Sequence, residues 1–347
     1  MMAMPDLNNP PGGPHLIVTA KTANKVQFFD AATLAKTGEI DMPASTHEMI
    51  LSSDGKKVFA SVYGGGIFGK NTAPDRRIGV IDLASKSLER LIDVGANVAP
   101  HGVMMDDGGT LWATGELGNA LLAIDPDSEE VERIDLGGSP HWLAVSHATG
   151  KVFASLKATD SVAVVDRDQR KPLERIHIPH RAEGLALAPD GETLYVVAHQ
   201  KAEFHVIDAR SHRLRATVTI EGAPGAVNQL RRVRVSPDGR YLLVSSTYDR
   251  HAASSRPKAL SRSPRLRPQG PPWVSASVAT VRTPICAATT MRWCSSSNYP
   301  PLACRAHLRP GRAASSSSRT SVPIPKFASL RRGLFCELRN RRTLAPH

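Results

Sequence analysis

Five short apolar segments of this chain carry a polar side chain at matched places: His47 in STHEMIL, His101 in APHGVMM, His141 in SPHWLAV, Glu183 in RAEGLAL and Arg231 in LRRVRV. Three imidazoles and a carboxylate brought to one place could hold a divalent metal, leaving a position open for water or a substrate oxygen. The same residues allow chemistry without a metal, with His47, His101 or His141 as a general base near neutral pH and Glu116 or Glu183 as its partner. A structural reading stands beside both. Copies of a repeat inherit their residues from one ancestor, and each histidine can simply hydrogen-bond the backbone of the next copy. The glycines of YGGGIFGK lack the Lys-Ser or Lys-Thr ending of a P-loop, and the chain has neither a serine nucleophile elbow nor a dinucleotide fingerprint.

The elements that must position these residues are short strands. Apolar runs ending in aspartate recur as VQFFD, IGVID, LLAID, VAVVD and FHVID, which places Asp30, Asp82, Asp125, Asp166 and Asp208 at intervals of 52, 43, 41 and 42 residues. Each run is followed by a polar turn and a second short run (TGEIDM, LERLIDV, VERIDL, LERIHI, RATVTI). Each of the last four is preceded by an apolar run, a turn often written Asp-Gly, and a β-rich run, as in MILSSDGKKVFASV and GLALAPDGETLYVVA. A unit of about forty residues made of four strands and no helix is the pattern of a propeller blade. KVFAS at 57–61 and again at 151–155 is then the second strand of two blades, repeated for packing. The five aspartates close the third strand and enter a turn, where a side chain accepts from a backbone N–H two residues on. Trp112 and Trp142 are expected between blades.

With its Ser-Pro-Asp-Gly turn, apolar strands and V-x-V-I-D run, the repeat resembles the YVTN or YncE-like β-propeller family over about residues 15–248. PHGVMMDDGGTLWATGELGNALLAIDP is also similar to the repeats of streptogramin-lyase and gluconolactonase-type propellers. The resemblance implies an all-β, seven-bladed type of propeller. The chain opens with strands matching the second, third and fourth of a blade. Full sets follow at 46–96, 99–138, 140–179 and 181–222, and a sixth begins near Val233, so the expected ring is incomplete, with five to six recognisable blades. An opening of this kind expects a C-terminal strand to complete the first blade, yet the periodicity stops after YLLVSSTYD and the sequence offers no such strand.

In a propeller the innermost strands line a channel, so His47, His101, His141, Glu183 and Arg231 are expected at its mouth. The connections between second and third strands open on the same face and add Tyr63, Glu116, Asp160, His199 and Tyr248. The expected partner is a small molecule or protein at this mouth. A divalent metal on His47, His101, His141 and Glu183 is the one cofactor the residues suggest, and His101, His141 and Glu116 are the catalytic set if the chain is an enzyme. Two functions follow. One is a ligand-binding or interaction scaffold; the other is the metal-assisted lactonase or lyase that the second resemblance implies. His147, His177 and His180 are expected in turn, outer-strand and rim positions.

Charge divides the chain. Residues 1–250 hold 27 Lys and Arg against 31 Asp and Glu, whereas residues 251–347 hold 17 against 1 together with all four cysteines. The expected organisation is a disordered stretch at 1–14, propeller repeats at 15–249 and a low-complexity basic tail at 250–347. That tail reads either as a nucleic-acid or anionic-surface binder or as out-of-frame translation. Nucleic acid ranks last among the partners, because the repeats themselves are slightly acidic. Its cysteine spacing fits no zinc pattern. No run approaches the ~20 apolar residues of a membrane helix, and the N-terminus lacks a signal-peptide pattern, so the expectation is a cytoplasmic protein.

Overall fold

Period-two alternation decides how these strands pack. In both copies of KVFAS the valine and alanine face the preceding sheet: Val58 and Ala60 join a cluster with Ile17, Val26 and Phe28, while Val152 and Ala154 join one with Trp112 and Leu121. The phenylalanine between them faces the following sheet, Phe59 against Val103 and Leu122, Phe153 against Leu185 and Val196. Both of these second strands are therefore apolar on both faces, as a stacked sheet requires.

The chain is seen in a computed structural model that describes residues 15–31, 33–66, 68–96, 98–219, 230–236, 239, 241–246, 251–255 and 278–281, with residues 245–246, 251–255 and 278–281 as backbone only. The described strands form six antiparallel sheets. From the inner strand outward, the first holds Val278–Val281, His15–Ala20, Lys25–Asp30 and Lys36–Asp41. The second holds Thr46–Leu51, Lys57–Gly65, Ala73–Asp82 and Ser87–Asp93, and the third Pro100–Met105, Leu111–Gly115, Ala120–Ile124 and Val131–Asp135. The fourth holds Pro140–Ser146, Lys151–Leu156, Ser161–Asp166 and Lys171–His177, and the fifth Ala182–Leu187, Thr193–Ala198, Glu203–Asp208 and Leu214–Thr219. The sixth holds Leu230–Val235, Leu242–Ser246 and His251–Ser255. This is a β-propeller, with the blade limits expected from the repeat.

Two short strands lie past residue 249. His251–Ser255 extends the sixth sheet, and Val278–Val281 pairs antiparallel with His15–Ala20 as the missing inner strand of the first. Neither carries the Asp-Gly turn or the V-x-V-I-D run by which the other strands were recognised.

Five hydrophobic clusters join the six sheets in series, first to second through fifth to sixth. Among the described residues no such cluster joins the sixth sheet to the first. The outer strands are polar and bury one isoleucine each in the first four sheets, Ile40, Ile92, Ile134 and Ile176. Charged outer edges resist pairing with another chain. The repeated aspartates act as expected: Asp82, Asp125, Asp166 and Asp208 each accept backbone N–H bonds from the turn they open, for example Asp208 Oδ1 from Ser211 N at 2.7 Å. Gly55, Gly109, Gly150, Gly191 and Gly239 share one place in the inner turns, with φ between +62° and +85°, where a side chain would be strained.

Candidate functional site

All five inner strands from the second sheet to the sixth lose register at one place. The pairing shifts between Thr46 and Met49, Pro100 and Val103, Pro140 and Leu143, Ala182 and Leu185, and Leu230 and Arg232. The residues within these bulges are His47, His101, His141, Glu183 and Arg231, the slot read from the sequence. A bulge re-aims side chains away from the sheet's own alternation, and here it presents five polar groups at the channel.

A hydroxyl on the second strand holds the bulge. Ser61, Thr114 and Ser155 accept from the backbone N–H of Glu48, Gly102 and Trp142 at 2.8–3.0 Å. Ser61 and Thr114 then donate to the carbonyl of the slot residue in the next sheet, His101 at 2.7 Å and His141 at 2.9 Å. Ser61 of the first KVFAS and Thr114 thus tie neighbouring bulges together. Gly102 and Gly184 stand where the next sheet comes close; a Cβ on Gly184 would lie 2.3 Å from the Arg231 carbonyl oxygen.

A second ring of side chains follows from the same register. The residue leaving each second strand is Lys21, Tyr63, Glu116, Lys157 and His199 in the first five sheets, each after the last or near-last paired position. Tyr63, Glu116 and His199 were expected. Lys157 was not, and it takes the place that the sequence reading gave to Asp160. Asp160 instead accepts from Arg181 N at 2.9 Å and ties its loop to the connection that leads into the fifth sheet. Lys21 and Lys157 were legible as the position two beyond the hydroxyl of the second strand, Thr19 and Ser155 respectively. Tyr248 lies outside the described residues.

The two rings interlock. Tyr63 Oη donates to Glu116 Oε1 at 2.6 Å, Glu116 Oε2 lies 3.0 Å from His141 Nδ1, and His141 Nε2 lies 3.3 Å from Glu183 Oε1. Glu183 is also bound by Lys157 Nζ at 2.6 Å and Arg231 Nη1 at 3.0 Å. His47 stacks on Tyr63 with centroids 3.9 Å apart, and His101 lies 3.9 Å from the His141 ring. His101 Nδ1 donates to the His141 carbonyl at 3.0 Å, which leaves Nε2 with the lone pair while the ring is neutral. His199 Nδ1 donates to the Leu230 carbonyl at 3.3 Å. Behind these groups Arg232 pairs with Glu48 across the channel and lies 3.7 Å from the centre of the Trp142 ring. Trp142 therefore does more than pack between sheets. Trp112 stays in its expected role and donates to Asp106 Oδ2 at 2.8 Å. His147 and His177 are exposed, as expected.

Burial sets the protonation of these groups. It holds His47 and His101 well below the ordinary imidazole range, with neighbouring charges adding to the effect, and lowers His199 to about 4. For Glu183 burial alone would raise the carboxyl, but His141, Lys157 and Arg231 outweigh it and hold it well below 4.5. Tyr63 is pushed up by burial and by Glu116, so its phenol stays protonated.

His101, Glu116 and His141 offer ligand atoms that all lie within 4.8 Å of one another. These residues would hold a divalent cation through two imidazole nitrogens and a carboxylate oxygen, a donor set that borderline metals accept. The expected quartet changes accordingly: Glu116 enters the cluster, while Glu183 is engaged by Lys157 and Arg231 and His47 stacks on Tyr63.

The fold and this mouth define a propeller with a buried, ionisable channel end. No family model matches the chain. It is 26% identical over 258 residues to antigen Lp49 of Leptospira interrogans, covering 67% of this chain and 53% of that protein, so the chain spans about half the length of that relative. In structure it is similar to Kuenenia stuttgartiensis hydrazine synthase (TM-score 0.60, 19% identity, 74% of this chain and 78% of that one). It is also similar to a streptogramin B lyase (0.59, 15%, 73% and 81%). A third is a catalytically inactive histidine-to-alanine variant of virginiamycin B lyase from Staphylococcus aureus with quinupristin (0.58, 15%, 75% and 85%). At these identities the likeness is one of fold. Among the described residues no helix is long and apolar enough to cross a membrane.

Proposed function

We propose that the channel mouth is a small-molecule site with acid–base chemistry of the lyase or lactonase type, assisted by a divalent cation on His101, Glu116 and His141. The observation that supports it is the convergence of these three side chains, all buried, from two adjacent sheets. A bound cation would supply a Lewis acid for an ester or lactone oxygen. The chain's own residues handle the proton. Neutral His101, oriented through Nδ1, has Nε2 as the nitrogen able to accept one, or to take the cation when it is bound. At His141 both ring nitrogens face carboxylate oxygens, Glu116 on one side and Glu183 on the other, which fixes the orientation of the ring. Glu116 is fixed by the Tyr63 phenol. This proposal includes the YVTN or YncE-like assignment of the repeats.

A second reading, a ligand-binding scaffold without catalysis, is favoured by a different observation: Glu116, His141 and Glu183 already satisfy one another and need no metal for charge balance. Metal analysis of the purified chain separates the two. The first expects about one divalent ion per chain, lost in His101→Ala and Glu116→Gln together with ester- or lactone-opening activity. Metal-free protein that binds a ligand at the mouth, with no ester- or lactone-opening activity, supports the scaffold.

A further inference from the structure

One aromatic side chain reaches the mouth from neither ring of site residues. The hairpin of the second sheet is longer than the others: Lys57–Gly65 and Ala73–Asp82 run nine and ten residues, whereas the second and third strands of the third, fourth and fifth sheets run five or six. Its pairing continues past Tyr63, with Gly64 opposite Pro74 and Gly65 opposite Ala73, and Asn71 Nδ2 donates to the Tyr63 carbonyl at 2.9 Å. Beyond these paired residues the chain carries Phe68 across to the fourth sheet. The Phe68 ring meets that of His141 edge-on, with centroids 5.3 Å apart and planes at 81°, and its centre lies 4.7 Å from Lys157 Nζ. Both contacts are made two sheets away from the hairpin's own.

The groups at this end of the channel are closed off from solvent. His101, Glu116 and His141 are 4%, 1% and 5% exposed, and the Lys157 side chain is 4% exposed. A ligand touches groups buried to this degree only when something that covers them moves. The bulged strands are tied by their hydroxyl bonds and ion pairs. Phe68 is held more lightly, by one edge-to-face contact and one cation–π contact on a half-buried ring, each weak enough to break and re-form. Glycine lets the hairpin fold back in this way: φ is +94° at Gly64 and +127° at Gly66, and a Cβ there would lie 2.1 Å from the Ala73 carbonyl oxygen and 2.3 Å from that of Lys70.

We propose that Phe68 is the gate of the channel mouth: the second sheet's hairpin closes it over His141 and Lys157, and a ligand reaches those groups when the ring swings out. This rests on the mouth being a ligand site, and on neither the cation nor the chemistry proposed there. The segment YGGGIFGK then has a use that its failure as a P-loop left open, with glycines to turn the chain over the mouth and Phe68 to cover it.

Reductive methylation of the full chain with formaldehyde and a borane, followed at Lys157 by peptide mass spectrometry, tests the gate. It needs neither ligand nor metal, so its failure is distinguishable from failure of the ligand-site reading. Lys151, paired with Asp166 in the same sheet and away from Phe68, is the internal control. In wild-type protein Lys157 should react slowly but measurably, through the open form. Phe68→Ala should speed that reaction on the order of tenfold, the factor set by losing the two contacts that hold the ring down. Phe68→Leu keeps an apolar cover without the ring's pull on the ammonium and should stay close to wild type. Lys151 should react alike in all three. The proposal is overturned if Lys157 never reacts in the folded wild type, which makes Phe68 a fixed wall, or if Phe68→Ala changes its rate less than about twofold. It is equally overturned if Phe68→Leu reacts as fast as Phe68→Ala, which traces the effect to charge and not to access, or if Lys151 speeds up in step with Lys157, which traces it to a loosened sheet.

Discussion

Removing Glu183 should do more damage than removing any other single charge in the protein. Its side chain is 0% exposed, the Lys157 side chain that binds it at 2.6 Å is 4% exposed, and Arg231 and His141 share the same carboxylate. In Glu183→Ala the lysine stays buried with its counter-charge gone, which costs about 3–5 kcal/mol. The double variant Glu183→Leu/Lys157→Met removes both charges and fills the volume, and should recover most of that loss. Urea denaturation at pH 7 measures both, provided the slopes match so that the midpoints report stability. The acid side gives an independent check. Because Glu183 titrates well below 4.5 in the folded chain, the stability it contributes is fully present above pH 4.5 and is lost as the pH falls toward its folded value. Glu183→Gln should flatten that part of the pH–stability curve. A Glu183→Ala variant within 1 kcal/mol of wild type, or a double variant no better than the single, would show that the carboxylate does not hold the mouth together.

Other expectations follow from the same geometry. Ser61→Ala should cost about 1–3 kcal/mol, since the buried N–H of Glu48 loses its acceptor and the His101 carbonyl its donor, while Ser61→Thr should cost less; thermal melts compare them. Phe153→Ala, between the fourth and fifth sheets, should lose about 3–5 kcal/mol in the same assay. Imidazole NMR signals of His47 and His101 should not titrate between pH 5 and 8, and that of His199 should have its midpoint near 4. With its folded value below the unfolded 6.5, His199 should make stability rise with pH between about 4 and 6.5, a slope that His199→Gln removes.

The sequence alone determined the propeller, the limits of its sheets and the slot that holds His47, His101, His141, Glu183 and Arg231. The physical reason is locality: alternation of apolar residues, Asp-Gly turns and aspartates closing third strands are all settled within a few residues of one another. Tertiary structure decided what those residues do. That Glu116 joins His101 and His141, that Lys157 and Arg231 share Glu183, and that Lys21 reaches over Tyr63 depends on the packing of the sheets, which brings together residues 15 to 48 positions apart. Lys157 was passed over because its place, two beyond the second-strand hydroxyl, holds lysine, tyrosine, glutamate or histidine in different sheets and so shows no repeated residue, and its role exists only through the carboxylate of the next sheet. The pairing of Val278–Val281 with His15–Ala20 is likewise decided in three dimensions: a four-residue strand is recruited by the open N–H and C=O groups of its partner, and a single sequence does not record what that partner demands.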